Sequence, residues 1–386
     1  MKIGQFSDSF LPIVDGVGRV VYSYCDTLSR RGHQCYAVVP LTDMGYRGDY
    51  PFEVLDFYSR AVPTMSHYRA GLPLIDSHYH ARLEMTDFDI VHLHSPFIAG
   101  MEAVHYAKKH KIPLVGTFHS KFYDDFLQIT GQEFLAEIGV KGVIGVFNNC
   151  DEVWAVSDSS AATLRSYGYK KEIYVIQNGM NKRLIRADAI ELAKAKYELN
   201  DQPILLYVGQ MNWKKNIGRI LEACALLHQD GVKFQLLLAG QGPHSSEIKT
   251  RIKELGLQDN AKALGHITDV DLLDGLYASA ALFVFPSIYD NAPMVVREAA
   301  NAGTPSIVVR GSNAAEVITD QVNGLLCQDD SQDLFRIIKK VLNDHVLLQN
   351  LGKRAQETIP VAWDDVIDEV INRYQNLVDR YKNDHQ

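Results

Sequence analysis

The chain has 386 residues, 46% apolar and 22% charged, with 39 Lys and Arg against 47 Asp and Glu. A single hydrophobic core stops growing near ~250–300 residues, so two domains are expected, and the composition excludes a disordered or collagen-like chain. A net charge of −8 excludes the broad basic footprint of a nucleic-acid binder and makes any anionic ligand depend on a local positive site.

No apolar run reaches the ~18 residues that span a bilayer. Asp8 interrupts the opening stretch where a signal peptide needs continuous apolar sequence. Cys25, Cys35, Cys150, Cys224 and Cys327 are odd in number and scattered, which points to reduced core thiols rather than disulfides or zinc. The expectation is a soluble, cytoplasmic protein.

Strand-like runs alternate with longer amphipathic segments, the pattern of parallel sheets joined by crossover helices. The first series is Lys2–Phe6, Gln34–Val39, Ile90–Leu93, Leu114–Gly116, Glu152–Val156 and Ile173–Ile176. The second is Ile204–Val208, Phe234–Ala239, Lys262–Leu264, Leu282–Phe285 and Ser306–Val309. Both are nearly continuous Val, Ile, Leu and Phe, as in central strands buried on both faces. Tyr46–Leu83, rich in Tyr, His, Pro and Gly, breaks the alternation and reads as an irregular surface excursion. Asn181–Gln202 is polar and charged, which places a domain boundary there. The expected domains are residues 1–183 and 184–360. Residues 361–386 form a tail with apolar positions from Trp363 to Tyr381 at helical spacing, an amphipathic helix expected to pack back on the first domain. Residues 1–183 carry 18 basic and 20 acidic groups and the remainder 21 and 27, so the acidic surplus is C-terminal.

Four segments carry candidate chemistry. Pro12 to Arg19, with Gly16 and Gly18, follows the first strand and opens a long helical segment. It reads as an anion-binding glycine turn or as a plain strand-to-helix turn; it is not G-x-G-x-x-G. His92 and His94 share one face of a strand, and His119 stands at the end of the next. Without a third ligand at recognisable spacing, packed or hydrogen-bonded histidines compete with a metal site. Tyr207 to Asn216 repeats strand, glycine, loop and helix with Lys214 and Lys215 at the helix start, a phosphate site or a solvated lysine pair. Phe285 to Gly303 contains Asp290 and Glu298. Asp290 or Asn291 is placed to cap a helix whose first turn holds Pro293. Eight helical residues rise about 12 Å, too far for a glycosidase pair at ~5–9.5 Å. Two carboxylates gripping two groups of hydroxyls on one ligand fit the spacing better.

Taken in order, these segments resemble family 4 of the retaining, nucleotide-sugar-dependent glycosyltransferases. The resemblance runs from the glycine loop through Arg31-Gly32-His33, Gly116 to His119, Ala155 to Ser157, Asn178-Gly179, Gly209 to Asn216 and Gly240 to Pro243. It continues through Leu264 to His266, Phe285 to Ser287, the acidic pair and Asn323-Gly324. It implies an α/β GT-B fold: two facing Rossmann-like domains, an interdomain cleft and a C-terminal helix returning to the N-terminal domain. It further implies that Glu298 binds the nucleotide ribose and Asp290 the donor sugar hydroxyls. Gly16 and Lys215 approach the diphosphate, His119 lies beside the C6 hydroxyl and the reaction centre, and Gly265 and His266 lie near the base. Asn291, Met294 and Val295 complete the donor set. The catalytic group is then His119, Asp290 and Glu298. Neither an enzymic nucleophile nor a metal cofactor is implied; the leaving phosphate takes the acceptor's proton. Asp87-Phe-Asp89 resembles a metal-binding carboxylate pair but precedes an N-domain strand and is discounted.

Three positions depart from the family pattern. Asp290 stands where Glu is usual, Gln210 where an arginine of the phosphate loop is usual, with Lys214 beside it, and Pro293 where a glycine amide is usual. Ser59-Arg60, Pro63, Tyr68-Arg69 and Gly71 to Pro73, with Tyr123-Asp124 after His119, resemble the branch that glycosylates diacylglycerol or related lipids. This implies acceptor binding by Tyr68, Arg69, Tyr123 and Asp124, with peripheral contact at the inner face of the plasma membrane. An ordinary loop and a polysaccharide acceptor are the alternatives. The expected activity is transfer of a hexose, glucose or galactose, from a UDP-sugar to a lipid or cell-envelope glycan hydroxyl. The competing reading, prompted by Gln210 and Pro293, is a catalytically silent GT-B partner of an active transferase.

Overall fold

The structure is a computed structural model that describes residues 1–11, 16–42, 50–62, 65–290 and 293–384. The chain divides into two compact units, Met1–Gly179 with Trp363–Gln386, and Met180–Ala362.

The first unit contains β1 (Lys2–Phe6), α1 (Gly16–Arg30), β2 (Gln34–Pro40), β3 (Glu53–Phe57), β4 (Ser59–Val62), β5 (Met65–Gly71), α2 (Ser77–Glu84) and β6 (Ile90–Leu93). It continues with α3 (Ile98–His110), β7 (Leu114–Phe118), α4 (Phe122–Thr130), α5 (Glu133–Phe147), β8 (Glu152–Ala155), α6 (Asp158–Ser166) and β9 (Tyr174–Val175). Seven strands form one parallel sheet in the order β3-β2-β1-β6-β7-β8-β9. The apolar runs that predicted the central strands are buried along their length, as in Ile90–Leu93 and Leu114–Phe118. Helix α1 buries Val20, Val21, Tyr24, Cys25 and Leu28 on one face and ends before Gly32, which adopts a φ of +84°, the left-handed stop that glycine makes without strain.

The stretch expected to be irregular is structured in its described part. Residues 43–49 and 63–64 lie outside the described residues. Glu53–Phe57 adds in parallel to the sheet edge from Tyr36↔Glu53 to Pro40↔Phe57. Only Leu55 and Phe57 turn into the core, so this half-polar edge strand lacks the continuous apolar run that marked its neighbours. β4 and β5 form an antiparallel ribbon, and Asp56 pairs with Arg82 of α2 at 2.9 Å.

The second unit contains α7 (Ala187–Tyr197), β10 (Ile204–Val208), α8 (Ile217–Gln229), β11 (Gln235–Ala239), α9 (Ser245–Glu254), β12 (Ala261–Gly265) and α10 (Val270–Ser279). It continues with β13 (Leu282–Phe285), α11 (Met294–Asn301), β14 (Ser306–Val309), β15 (Leu325–Cys327), α12 (Ser331–Leu342) and α13 (His345–Thr358). Its sheet is parallel, in the order β12-β11-β10-β13-β14-β15. The polar stretch in which the domain boundary is expected contains α7, whose contact with α10 is close enough that Gly275 admits no Cβ against the Ala189 carbonyl.

The final helix, α14 (Trp363–Asp384), belongs to the first unit. It buries Trp363, Val366, Ile367, Val370, Tyr374, Leu377 and Val378. Asp368 pairs with Arg31 at 3.0 Å and Arg373 with Glu152 at 3.3 Å. The Met180 amide donates to the Val361 carbonyl at 2.8 Å, so both passages of the chain are tied where the units divide. All five cysteines are buried thiols.

Candidate active site

In an open parallel sheet, ligands bind beyond the carboxyl ends of the strands, where neighbouring crossovers leave in opposite directions. In the second unit that point lies between β10 and β13. The β10 loop is built by close backbone approach. The Gly209 amide donates to the Ala239 carbonyl at 3.0 Å and the Gly240 amide to the Gly265 carbonyl at 2.8 Å. Gly240 has a φ of +140°, and a Cβ there would collide with the Gly209 carbonyl. The loop turns through Asn212, whose side chain accepts from the Lys214 amide at 3.1 Å, and reaches Asn216, the left-handed N-cap of α8. The Asn216 side chain donates to the Pro286 carbonyl at 3.1 Å, fixing the β10 loop to the β13 loop.

Across that join Lys215 Nζ meets Asp290 Oδ1 at 2.5 Å, with side chains 16% and 22% exposed. Ser287 Oγ donates to Asp290 Oδ2 at 2.5 Å. Lys214 and Lys215 also lie 5.5 and 5.4 Å from the centroid of the Tyr289 ring. Asp290 therefore does not cap α11, as its position in sequence proposed. The N-cap is Pro293, without a side-chain cap hydrogen bond, because the Asp290 carboxylate is committed to Lys215 and Ser287. Asn291 lies outside the described residues.

Met294 and Val295 are the first two residues of α11, where helical amides have no carbonyl partner within the helix. Glu298 stands one turn on and accepts from the buried Tyr277 hydroxyl at 3.0 Å. Burial and the Glu298 carboxylate hold that phenol well above its usual range. Gln210 and Lys214 are exposed on the β10 loop, and Gly265 and His266 at the end of β12.

In the first unit the corresponding point lies between β1 and β6. Asp8 follows β1, and its carboxylate accepts from Ser95 Oγ at 2.6 Å and from the Ala99 amide in the first turn of α3 at 3.0 Å. Burial pushes its pKa up to about 6, against those two hydrogen bonds. Sequence reasoning missed Asp8 as a site residue; its signal was an acid just past the first strand. A carboxyl with a raised folded pKa contributes stability that is fully present below its unfolded value and is lost as pH rises through about 6. Asp8→Asn keeps an acceptor for Ala99 and should remove this dependence. The variant's stability relative to wild type should rise by of order 2 kcal/mol between pH 4 and 7, as read by denaturant unfolding at each pH.

Gly16 opens α1, and a Cβ added there would meet no described atom within 4 Å. His119 lies just past β7 and is buried, with a ring pKa pushed down to about 3 by desolvation. Its Nε2 is 3.0 Å from Nδ1 of His94, whose Nε2 is 2.7 Å from Oε1 of Gln5. His92 points its ring nitrogens elsewhere, to the Tyr374 hydroxyl at 2.5 Å and Thr117 Oγ1 at 2.7 Å. Among the described residues no group of three or more His, Cys, Asp or Glu is arranged to hold a metal ion. Asp89 of the discounted carboxylate pair accepts from the Lys2 amide at 2.7 Å, at the amino end of the sheet.

Tyr123 and Asp124 occupy the first turn of α4, close in sequence to His119, with the Tyr123 amide bonded to Tyr167 at 3.0 Å. Arg69 is held within the ribbon, Nε donating to Ser59 Oγ at 2.6 Å and a terminal nitrogen to the Ser59 carbonyl at 3.1 Å. The Tyr68 backbone lies in β5, and its side chain falls outside the described residues. Among the described residues no helix is long and apolar enough to cross a membrane.

Each unit thus ends its sheet in a prepared edge: one with buried histidines, the other with lysines, two carboxylates and a helix start. Two doubly wound units of this kind, with the last helix returned to the first, make up the GT-B architecture. Residues 14–183 match the model of Glycosyltransferase Family 4 and residues 189–358 that of Glycosyl transferases group 1; the chain is a glycosyltransferase built of a Family 4 domain followed by a group 1 domain.

The chain is 24% identical to the alpha-monoglucosyldiacylglycerol synthase of Streptococcus pneumoniae over 92% of this chain and 85% of that protein. It is 25% identical to the GDP-mannose-dependent alpha-mannosyltransferase of Corynebacterium glutamicum over 95% of this chain and 85% of that protein. Among solved structures, Anabaena HepE in complex with UDP superposes with a TM-score of 0.78 at 18% identity, covering 97% of this chain and all of that one.

Proposed function

We propose that the protein transfers a hexose with retention of configuration, from a UDP-sugar to a hydroxyl of a membrane lipid or cell-envelope glycan. The observation that carries this reading is the pairing of Lys215 with Asp290 across the β10–β13 join, together with Glu298 on the following helix, which accepts from Tyr277. An ammonium held half-buried at the start of α8 suits a diphosphate, and the carboxylate now beside it suits sugar hydroxyls. When the donor binds, Lys215 exchanges Asp290 for the diphosphate. The first-turn amides of Met294 and Val295 add the dipole of α11 to the charge that develops on the leaving phosphate. Glu298 accepts from the ribose hydroxyls, and the leaving phosphate oxygen takes the acceptor's proton, so neither an enzymic nucleophile nor a metal is required.

The lipid acceptor is supported by the kinship with a glucosyldiacylglycerol synthase, and the uridine base by the likeness to a UDP-binding fold. The mannosyltransferase kinship makes GDP-mannose the donor to test alongside. On this reading the first unit receives the acceptor through Tyr123, Asp124 and the β4–β5 ribbon, and the enzyme works at the cytoplasmic face of the membrane. Incubation with UDP-glucose, UDP-galactose or GDP-mannose and diacylglycerol-containing vesicles, followed by proton NMR of the product, tests it. An α-linked glycolipid from a UDP-sugar is expected. A β-linked product would overturn retention, and absence of transfer from any donor to lipid or glycan would overturn the activity.

A further inference from the structure

Six polar side chains lie together inside the first unit: Gln5, His92 and Tyr374 with no exposure, His94 at 1%, Thr117 at 2% and His119 at 9%. Their surroundings are aromatic. Tyr374 stacks on Trp154 at 5.6 Å, and Tyr24 meets the edges of both His92 and His94. Polar groups buried among such rings cost stability unless every donor and acceptor is matched.

The matching here fixes a direction. The Gln5 amide nitrogen donates to the Tyr374 hydroxyl at 3.2 Å, so its oxygen faces His94 Nε2 at 2.7 Å and must accept from it. Burial holds the His94 and His92 rings well below the usual imidazole pKa, so each carries one proton. His94 spends its proton on Gln5, which leaves His94 Nδ1 as an acceptor and obliges His119 Nε2 to donate to it. On the other side the Tyr374 hydroxyl, already accepting from Gln5, donates to His92 Nδ1, and His92 Nε2 donates to Thr117. The bonds therefore run one way, from His119 through His94, Gln5, Tyr374 and His92 to Thr117. Gln5 and Tyr374 are 369 residues apart, so the chain closes only because α14 returns to this unit.

We propose that Gln5, His94 and Tyr374 are positioning residues that lock His119 in the Nε2-protonated tautomer, turning its Nδ1 into a hydrogen-bond acceptor for a hydroxyl of the transferred sugar. The role in sugar binding rests on the function proposed above; the tautomer lock does not. A neutral imidazole of fixed tautomer discriminates between donor and acceptor partners, as a freely exchanging one does not. The C-terminal helix thereby contributes to the site without touching the ligand.

Tyr374→Phe keeps the ring packed on Trp154 and removes only the hydroxyl. The Gln5 amide then loses the acceptor that sets its orientation. Rotated, it offers nitrogen to His94, which reverses the next bond and moves the His119 proton to Nδ1. Nitrogen-15 NMR of the histidine rings in the full-length chain reads this directly, with the His119 signal assigned by its loss in His119→Asn. Wild type is expected to show a protonated Nε2 and an unprotonated Nδ1, and both Tyr374→Phe and Gln5→Met a population protonated at Nδ1. With a UDP-hexose donor, kcat/KM should fall about 10-fold in each variant, and should be nearly unchanged with a donor lacking the C6 hydroxyl. A loss of folded protein would lower both donors alike and leave the tautomer intact. An Nδ1-protonated His119 in wild type, or an unchanged tautomer in both variants, overturns the proposal. Absence of transfer in wild type would overturn the functional reading and leave the spectroscopic arm to judge the chain.

Discussion

Replacing Lys215 with alanine is expected to lower kcat/KM for glycosyl transfer by roughly 10²–10³-fold while the protein stays folded. Two effects add. The variant removes the ammonium nearest the proposed diphosphate, at a side chain only 16% exposed, where water screens little. It also leaves Asp290, now held by Lys215 and Ser287, as an unneutralised carboxylate beside an incoming dianion. Lys214, with its ammonium over Tyr289, does not contact Asp290 and replaces neither effect. Lys215→Ala combined with Asp290→Asn should therefore bind donor better than Lys215→Ala alone. Steady-state kinetics with thermal melting of each variant checks this. Turnover within a few-fold of wild type in Lys215→Ala would place the diphosphate elsewhere.

The second large effect is expected at Glu298. A carboxylate accepting from ribose hydroxyls makes charge-assisted hydrogen bonds worth roughly 1.5–3 kcal/mol each, so Glu298→Ala should cost on the order of 10²-fold or more in kcat/KM. It also strands the buried Tyr277 hydroxyl, with a stability loss of about 1–3 kcal/mol. Glu298→Gln separates the two, because an amide oxygen still accepts from Tyr277 while the charge is gone. It should melt close to wild type and still bind donor weakly. If Glu298→Gln and Glu298→Ala both turn over normally, the carboxylate has no part in donor binding.

The central strands were legible because parallel strands buried on both faces are written as unbroken apolar runs. Ile90–Leu93 and Ser306–Val309 fall where the sequence places them. The edge was not. Glu53–Phe57 turns only Leu55 and Phe57 inward, and Leu325–Cys327 is three residues long, too short for any periodicity. The ribbon β4–β5 is held by Arg69 on Ser59, a contact with no counterpart in hydrophobic pattern.

The candidate site divides in the same way. Loop glycines and lysines before a helix are marked by local spacing, so the placement of Gly209, Lys214 and Lys215 between β10 and α8 could be read directly. Partners that meet only after folding could not. Asp290 looked like a helix cap from its three-residue distance to Pro293, yet it pairs with a lysine 75 positions away. Tyr374 looked like one more apolar position on an amphipathic helix, yet its hydroxyl joins Gln5 and His92 across the whole length of the chain. Asp8 was visible only as an interruption of an apolar stretch, and its raised pKa depends on burial beside α3.

The central claim is that the carboxyl edge of the second unit, at Lys215, Asp290 and Glu298, is the binding place of a nucleoside diphosphate sugar. Calorimetric titration of wild type, Lys215→Ala and Glu298→Ala with UDP tests it most directly. The account predicts saturable binding to wild type, weakened by roughly 10-fold or more in each variant. Failure of wild type to bind either UDP or GDP at millimolar concentration, or equal affinity in all three proteins, would contradict it.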